Sequence, residues 1–190
     1  MEYRICRLSE IKESDFRNWF LEADSSRQSS VIKMKNPLAQ KQSLCADGLC
    51  REMLAKRMPA SEIRFLRSGN GKPEVLNSPL HFNLSHSGDF VLCAVSEAEI
   101  GADIEVMRPV SPKLIARVCT AEEKEFIGKD ERIFFQIWTA KEALAKYYGS
   151  GLSGDLKLLS VVQGGKLEVP ELQLYSELTE EYALSIVYKT

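Results

Sequence analysis

The chain has 190 residues, 44% of them hydrophobic and 27% charged, with a formal net charge of −2. These values are ordinary for a globular protein, and the slightly acidic balance excludes wholesale nucleic-acid binding. No apolar run approaches the roughly 20 residues that cross a bilayer, and the first residues lack the apolar centre of a signal peptide, so we expect a cytoplasmic protein without membrane contact. The five cysteines form no CxxC pair and are expected to be reduced, and two histidines make a structural zinc site improbable.

The first half of the chain predicts helices followed by short strands. Residues 9–22 have the pattern of an amphipathic helix, and a polar, serine-rich stretch follows at 23–30. Asn36 and Pro37 have the form of an N-cap followed by proline at the first helical position, which predicts a helix to about Arg57. A short strand at 63–66 then leads into the glycine-rich turn SGNGKP. The buried side of the long helix is expected to carry Leu38, Leu44, Cys45, Leu49, Met53 and Leu54.

The second half predicts strands, a long helix and further strands. HFNLS, FVLCAVS and IGADIEV each predict a strand, and the last two together predict a hairpin. Thr120 and Glu123 have the spacing of a capping box, and a helix from about Glu131 to Tyr148 is expected to end at Gly149. The tail contains the strand-like segments LKLLSVV, GKLEV and EYALSIVYK. These elements predict an α+β fold with mostly antiparallel strands.

Acidic residues in apolar surroundings mark the first candidate site. Side chains alternate along a strand, so Asp103 and Glu105 share one face of the strand at 100–106. Glu142 and Lys146 lie one turn apart on one face of the long helix. Three carboxylates suit Mg²⁺, and neighbouring lysines suit a phosphate ligand. The residues alone leave an alternative open, in which the strand acids face solvent and Glu142 and Lys146 form a surface pair.

The motifs resemble those of a known enzyme family. GADIE at 101–105, followed by WTAKEALAKYYGSGL at 138–152, resembles the paired signature of the 4′-phosphopantetheinyl transferases, G-[IV]-D-[IV]-E and W-x-x-K-E-[AS]-x-x-K with a following G-x-G-L. FNLSHS at 82–87 is similar to the family's F-N-[IL]-S-H-S block, and GKP at 71–73 also matches. The blocks occur in the family's order within residues 71–152. The chain is most similar to the single-chain, surfactin-synthetase-activating type of the family.

The resemblance implies a reaction. The family transfers the 4′-phosphopantetheine arm of coenzyme A to a serine of an apo acyl- or peptidyl-carrier protein and releases adenosine 3′,5′-bisphosphate. It implies that Asp103, Glu105 and Glu142 hold Mg²⁺ and that Asp103, Glu142 and Lys146 are catalytic, with Glu142 or a water on the metal as the base. Two other functions are compatible with the same acids: another Mg²⁺-dependent nucleotide-diphosphate enzyme, and a non-catalytic module that binds coenzyme A or a carrier protein.

The resemblance also implies a set of coenzyme A contacts: Arg27, Lys41, Ser43, Lys72, Ser85, His86 and Lys146. Taken alone, His86 is more typical of a hydrogen-bonded histidine in a tight turn, and a solvated turn lysine stays open as the alternative for Lys72. Gln42 stands where the family often has arginine, which is expected to weaken a nucleotide contact or shift it to Lys41. Lys141 is expected to face either the phosphates or solvent.

The fold implied by the resemblance is a pseudo-two-fold pair of similar α+β halves in one compact unit, with the active site in the cleft between them. The halves are expected at 1–97, holding the nucleotide, and 98–190, holding the metal. Residues 1–95 carry a charge of +3 from 14 basic and 11 acidic residues, and residues 96–190 carry −5 from 11 and 16, which fits this division. We expect a monomer that docks its carrier protein near Met107–Leu114 and residues 119–130.

Overall fold

The computed structural model describes residues 1–67, 69, 72–149 and 156–189. Within these ranges, the first half contains strand β1, three helices and four further strands: β1 (Glu2–Arg7), α1 (Glu13–Glu22), α2 (Ser25–Lys33), α3 (Pro37–Ala55), β2 (Phe65–Arg67), β3 (Pro73–Val75), β4 (His81–Ser87) and β5 (Phe90–Ser96). The second half follows a similar order: β6 (Ile100–Val106), α4 (Pro112–Val118), α5 (Ala121–Ile127), α6 (Arg132–Tyr148), β7 (Val162–Gln163), β8 (Lys166–Leu167), β9 (Gln173–Leu178) and β10 (Tyr182–Tyr188). Short 3₁₀ turns lie at Leu8–Glu10, Ala60–Glu62 and Leu156–Leu158. No helix of the described residues is long and apolar enough to span a membrane.

Each half builds a three-stranded antiparallel sheet beside one long helix. The first sheet has the order β1-β5-β4, with α3 packed against it, and the second has the order β6-β10-β9, with α6 packed against it. In both sheets the first strand of the half pairs with its last strand, which pairs with the strand before it. A two-stranded ribbon, β2-β3 or β7-β8, follows the long helix in each half. The fold is therefore α+β, as the sequence predicted.

The two sheets pack against each other through a shared apolar cluster. Its buried members come from both halves: Phe90, Leu92, Ala94, Ile100, Ala102, Ile104, Leu184 and Ile186. The hydroxyls of Tyr3 and Tyr175, 2.9 Å apart, join the two sheets at its margin. Because strand side chains alternate, the acidic face of β6 points the other way, toward α6. Both faces of β6 are thus covered by protein, and Asp103 is only 5% exposed.

Several local predictions are confirmed. The helix α3 begins at the proline after Asn36, whose side chain accepts a hydrogen bond from the backbone of Leu38. The capping box of Thr120 and Glu123 opens α5. The helix α6 ends at Gly149, which has the left-handed conformation that favours glycine (φ 64°).

Other local predictions are wrong. β5 and β6 do not form a hairpin, because β5 pairs with β1 and β4 whereas β6 pairs with β10. The serine-rich stretch, for which the sequence predicted no element, forms the helix α2, which Asp24 caps by accepting a hydrogen bond from the backbone of Arg27. Leu38, expected on the buried side of α3, is 44% exposed because it lies in the first turn. Gly71 of the GKP block and residues 150–152 of the G-x-G-L block lie outside the described residues.

Candidate active site

A close contact between β6 and α6 brings the acidic residues together. A Cβ atom at Gly101 would lie 2.0 Å from the carbonyl oxygen of Ala143 and 2.4 Å from the backbone nitrogen of Tyr147. The absence of a side chain at this position therefore allows the helix backbone to rest directly on the strand. The contact sets Glu142 and Lys146 opposite Asp103. Asp103 is two residues after Gly101 in β6, so the two residues share one face of the strand.

Asp103 is the most constrained of the three carboxylates. Its Oδ1 lies 2.7 Å from the Lys146 ammonium and accepts a 2.7 Å hydrogen bond from the Ser85 hydroxyl. Lys146 also donates to the carbonyl of Ala102 at 3.0 Å. The second oxygen, Oδ2, is buried and has no hydrogen-bond partner among the described residues. Burial raises the pKa of Asp103, and the positive charge of Lys146 only partly offsets this effect.

Glu105 is held from both sides. Its Oε2 accepts hydrogen bonds of 2.7 Å from the Ser87 hydroxyl and of 2.7 Å from the guanidinium of Arg108. The same Ser87 hydroxyl accepts a 3.2 Å hydrogen bond from the backbone nitrogen of Val106. Ser85 and Ser87, two residues apart on β4, thus position two acids that are two residues apart on β6. Side chains of the first half therefore orient carboxylates of the second half.

Glu142 is the third carboxylate, only 4% exposed. Burial and the nearby negative charge of Asp103 raise its pKa to about 7. The described residues contain no ready-made group of three His, Cys, Asp or Glu side chains at metal-binding geometry. The acids nevertheless suit a hard cation. Oδ2 of Asp103 is buried and has no hydrogen-bond partner among the described residues. The negative charge of Asp103 disfavours ionisation of Glu142, and a bound cation would offset this repulsion.

Two of the residues predicted to contact coenzyme A border this group. His86 is exposed on β4, and partial shielding by the surrounding chain together with the charge of Lys146 lowers its pKa. The Lys72 ammonium bonds the carboxylate of Glu99 and donates to the carbonyls of Ile100 at 2.9 Å and Lys146 at 3.1 Å. Lys72 is therefore attached to the last turn of α6, and the solvated turn lysine that the sequence left open is not what the structure shows.

A cavity of about 440 Å³ lies on the other side of β4. Two of the residues that line it are Arg27, which bonds Asp47 at 3.3 Å and the hydroxyl of Ser43 at 3.1 Å, and Arg64. The aromatic side chains of Phe65 and Phe82 form part of its wall. The cavity thus combines two arginines with the carboxylates of Asp24 and Asp47 and with apolar surface.

The remaining sequence-predicted positions lie elsewhere. Lys41 forms an ion pair with Glu13 and lies over the ring of Phe16, 5.0 Å from its centre. Gln42 is buried and donates to the carbonyl of Gly88 at 2.9 Å, so it connects α3 to the turn after β4. Lys141 is fully buried, so both expectations for its orientation are wrong.

Sequence reasoning missed four residues that build these surroundings: Asp47, Arg64, Ser87 and Arg108. Ser87 was detectable, since its two-residue spacing from Ser85 matches the spacing of the two strand acids. The other three become visible only once helices and strands are brought together.

Comparison with known proteins identifies the family. Residues 99–187 match the model of the 4′-phosphopantetheinyl transferase superfamily, and residues 12–98 match the model of the N-terminal part of 4′-phosphopantetheinyl transferases. The two matches adjoin and together cover most of the chain. The chain therefore belongs to the 4′-phosphopantetheinyl transferase superfamily, as its motifs predicted.

Individual relatives agree with this assignment. The chain is 40% identical over 111 residues to the 4′-phosphopantetheinyl transferase psf-1 of Bacillus pumilus, an alignment covering 55% of the chain and 47% of the relative. It is 35% identical over 127 residues to the 4′-phosphopantetheinyl transferase Sfp of Bacillus subtilis, covering 63% and 57%. It is 31% identical over 144 residues to the 4′-phosphopantetheinyl transferase gsp of Aneurinibacillus migulanus, covering 70% and 60%. The matched part of the chain thus spans 47% to 60% of the length of these curated relatives.

Proposed function

We propose that this protein transfers the 4′-phosphopantetheine arm of coenzyme A to a serine of an apo carrier protein, with release of adenosine 3′,5′-bisphosphate. The observation that carries the proposal is the contact of β6 with α6, which gathers Asp103, Glu105, Glu142 and Lys146 in a member of this superfamily. Acidic groups and a lysine around one point suit a diphosphate and the cation that accompanies it.

Asp103, Glu105 and Glu142 are the residues that would hold Mg²⁺. The unpartnered oxygen of Asp103 and the buried carboxylate of Glu142 support this assignment, since both gain from a nearby cation. When bound there, Mg²⁺ would supply positive charge to neutralise the diphosphate of coenzyme A.

The chain's own groups supply the other roles. Lys146, which already lies 2.7 Å from Asp103, is placed to contact the same diphosphate. Glu142 is the group we assign to accept the proton of the incoming serine hydroxyl, which is a weak nucleophile while protonated. The hydroxyl of Ser85 and the imidazole of His86 lie on the adjoining strand, where they suit phosphate oxygens.

The cavity behind β4 is where we place the nucleotide end of coenzyme A. Arg27 and Arg64 offer positive charge to a ribose phosphate, and the walls formed by Phe65 and Phe82 suit a planar base. β4 is at the edge of its sheet, with Phe82 facing the cavity and Ser85 facing Asp103. An extended ligand can therefore pass around this edge from the cavity to the carboxylates. The bond from Lys72 to the last turn of α6 supports a position for that residue beside the same route.

We also propose that the chain divides into halves at 1–97 and 98–190. The halves are related by a pseudo-two-fold axis, and the ligand lies between them. The support is the identical strand order in the two sheets. We further propose a cytoplasmic monomer, which is consistent with the free cysteines. Its carrier protein would dock near Met107–Leu114 and residues 119–130, next to Glu105 and Arg108.

Chromatography of the nucleotide product tests the reaction. The protein is incubated with coenzyme A and Mg²⁺, with and without an apo carrier protein, and a chelator is added to a parallel sample. We expect adenosine 3′,5′-bisphosphate only when carrier and Mg²⁺ are both present. Release without any carrier would favour a nucleotide-diphosphate hydrolase instead. Coenzyme A binding with no release on any carrier would favour a binding module.

A further inference from the structure

A second pair of charged residues lies close to the site but takes no part in the chemistry described above. Lys141 and Glu123 are both fully buried, and their charged groups are 2.7 Å apart. Lys141 directly precedes Glu142 on α6, and Glu123 lies in the first turn of α5. The pair therefore connects the helix that carries Glu142 to the region in which we place carrier docking.

Each N–H group of the Lys141 ammonium has a hydrogen-bond acceptor. It donates to the carbonyl of Val118 at 2.9 Å and to that of Leu156 at 3.0 Å, in addition to Glu123. An ammonium has three N–H groups, so these three acceptors satisfy it. The acceptors lie at the end of α4, in the 3₁₀ turn that precedes β7, and on α5.

The Glu123 carboxylate is equally occupied. Its Oε2 accepts from the backbone nitrogen of Thr120 at 2.7 Å, and its Oε1 accepts from that of Val161 at 3.1 Å. The residue that closes the capping box of α5 is thus also the counter-ion of Lys141. Through one ion pair, four backbone groups are tied to α6, two of them in residues 118–120 and two in residues 156–161.

Stability alone does not account for such a pair. Removing two charges from water is costly, and replacing a buried ion pair with uncharged groups is often neutral or favourable. What directional bonds do supply is a fixed position. Successive residues on a helix project about 100° apart, so fixing Lys141 limits rotation and sliding of the turn that carries Glu142.

We propose that the Lys141–Glu123 pair is a positioning device for the active site, which holds α6 in the rotation and register that set Glu142 and Lys146 against Asp103. This inference rests on the proposed transferase function. Gly101 allows α6 to approach β6, and the ion pair fixes α6 from another side. Lys141 and Glu123 are positioning residues, because neither side chain reaches the three carboxylates of the site.

The test replaces Glu123 with glutamine, which keeps its size and removes its charge. Both carboxylate oxygens accept from backbone N–H groups, so the new amide must turn its own N–H₂ toward one of those donors and break that bond. We expect E123Q to lower kcat about ten-fold and to leave the KM for coenzyme A within two-fold of wild type. The matched control is E180Q, which breaks the exposed ion pair of Glu180 with Arg132 at the other end of α6 and should leave kcat within two-fold.

A double variant separates positioning from stability. E123Q/K141Q leaves no unpaired buried charge, so its Tm should recover relative to E123Q and the protein should fold even if E123Q does not. Gln is shorter than Lys and does not reach all three acceptors, so kcat should remain about ten-fold low. Recovery of Tm and kcat together would overturn the proposal, as would a folded E123Q with wild-type kcat.

The failure of the proposed function gives a different result. In that case the wild-type chain itself modifies no carrier protein. Amide hydrogen exchange along α6, compared with α3, then decides the positioning role. Exchange in α6 that is at least ten-fold faster in the double variant supports it, and unchanged exchange overturns it.

Discussion

Replacing Gly101 with alanine tests whether the close approach of α6 builds the site. The added Cβ would lie 2.0 Å from the carbonyl oxygen of Ala143, and such contacts are essentially never under 3.0 Å. The helix must therefore retreat by at least about 1 Å (3.0 minus 2.0). Both neighbouring atoms belong to the backbone, so we expect the upper end of the overpacking range, about 3 kcal/mol. Alanine recovers about 0.5–1 kcal/mol of the entropy cost of glycine, leaving a net destabilisation of about 2 kcal/mol.

For a chain of this size that loss corresponds to a fall in Tm of about 4–8 °C, measured by calorimetry. A displacement of about 1 Å between Glu142 and Asp103 should lower the transfer rate about 100-fold. Gly69→Ala is the stability control, because a Cβ there meets no atom of the described residues within 4 Å, and its Tm should stay within about 2 °C of wild type. A Gly101→Ala protein with wild-type Tm and wild-type rate would show that the close approach of α6 to β6 does not build the site.

Three further predictions concern single side chains. Glu142→Gln should lower the transfer rate by at least about 100-fold while Tm stays equal or rises, because a buried carboxylate is removed; near-full activity in saturating Mg²⁺ would remove Glu142 from the site. Phe134→Ala should destabilise the fold by about 3–5 kcal/mol in denaturant titration. Trp138→Ala should destabilise it by less, since Phe134 is buried and Trp138 is only partly buried. A larger loss of stability for Trp138→Ala than for Phe134→Ala would contradict the packing described for α6. Ser87→Ala should lower kcat about five-fold, because Glu105 loses the hydroxyl that orients it. This factor corresponds to one hydrogen bond of about 1 kcal/mol. An unchanged kcat would show that Arg108 alone suffices to orient Glu105.

Local signals in the sequence were enough for the elements that have strong caps or strict periodicity. The N-cap at Asn36, the capping box at Thr120 and the glycine at 149 each act within one turn of helix, so they can be read from neighbouring residues. The β5–β6 hairpin was wrong because sequence adjacency does not determine pairing once each strand has a better partner. β6 pairs with β10, some 80 residues later in the chain, and no local pattern contains that information.

The sequence selects the candidate site residues but not the residues that support them. The alternation of β6 and the four-residue spacing on α6 made Asp103, Glu105, Glu142 and Lys146 candidates, and left open that these side chains face solvent. Burial of the acidic face depends on the approach of α6 at Gly101, which is a tertiary contact. The burial of Lys141 depends equally on Glu123 and on backbone groups from distant segments. Charge alone suggested an exposed lysine, whereas its partners allow it to be fully buried.

Intact-mass spectrometry of apo carrier proteins tests whether this protein transfers the phosphopantetheine arm of coenzyme A. Carriers from fatty acid, polyketide and nonribosomal peptide systems are each incubated with the protein, coenzyme A and Mg²⁺, with a chelator in the control. We expect at least one carrier to gain the mass of a single phosphopantetheine arm, and we expect the chelator to prevent this gain. Unmodified carriers throughout, with coenzyme A consumed or merely bound, would contradict the proposed transfer.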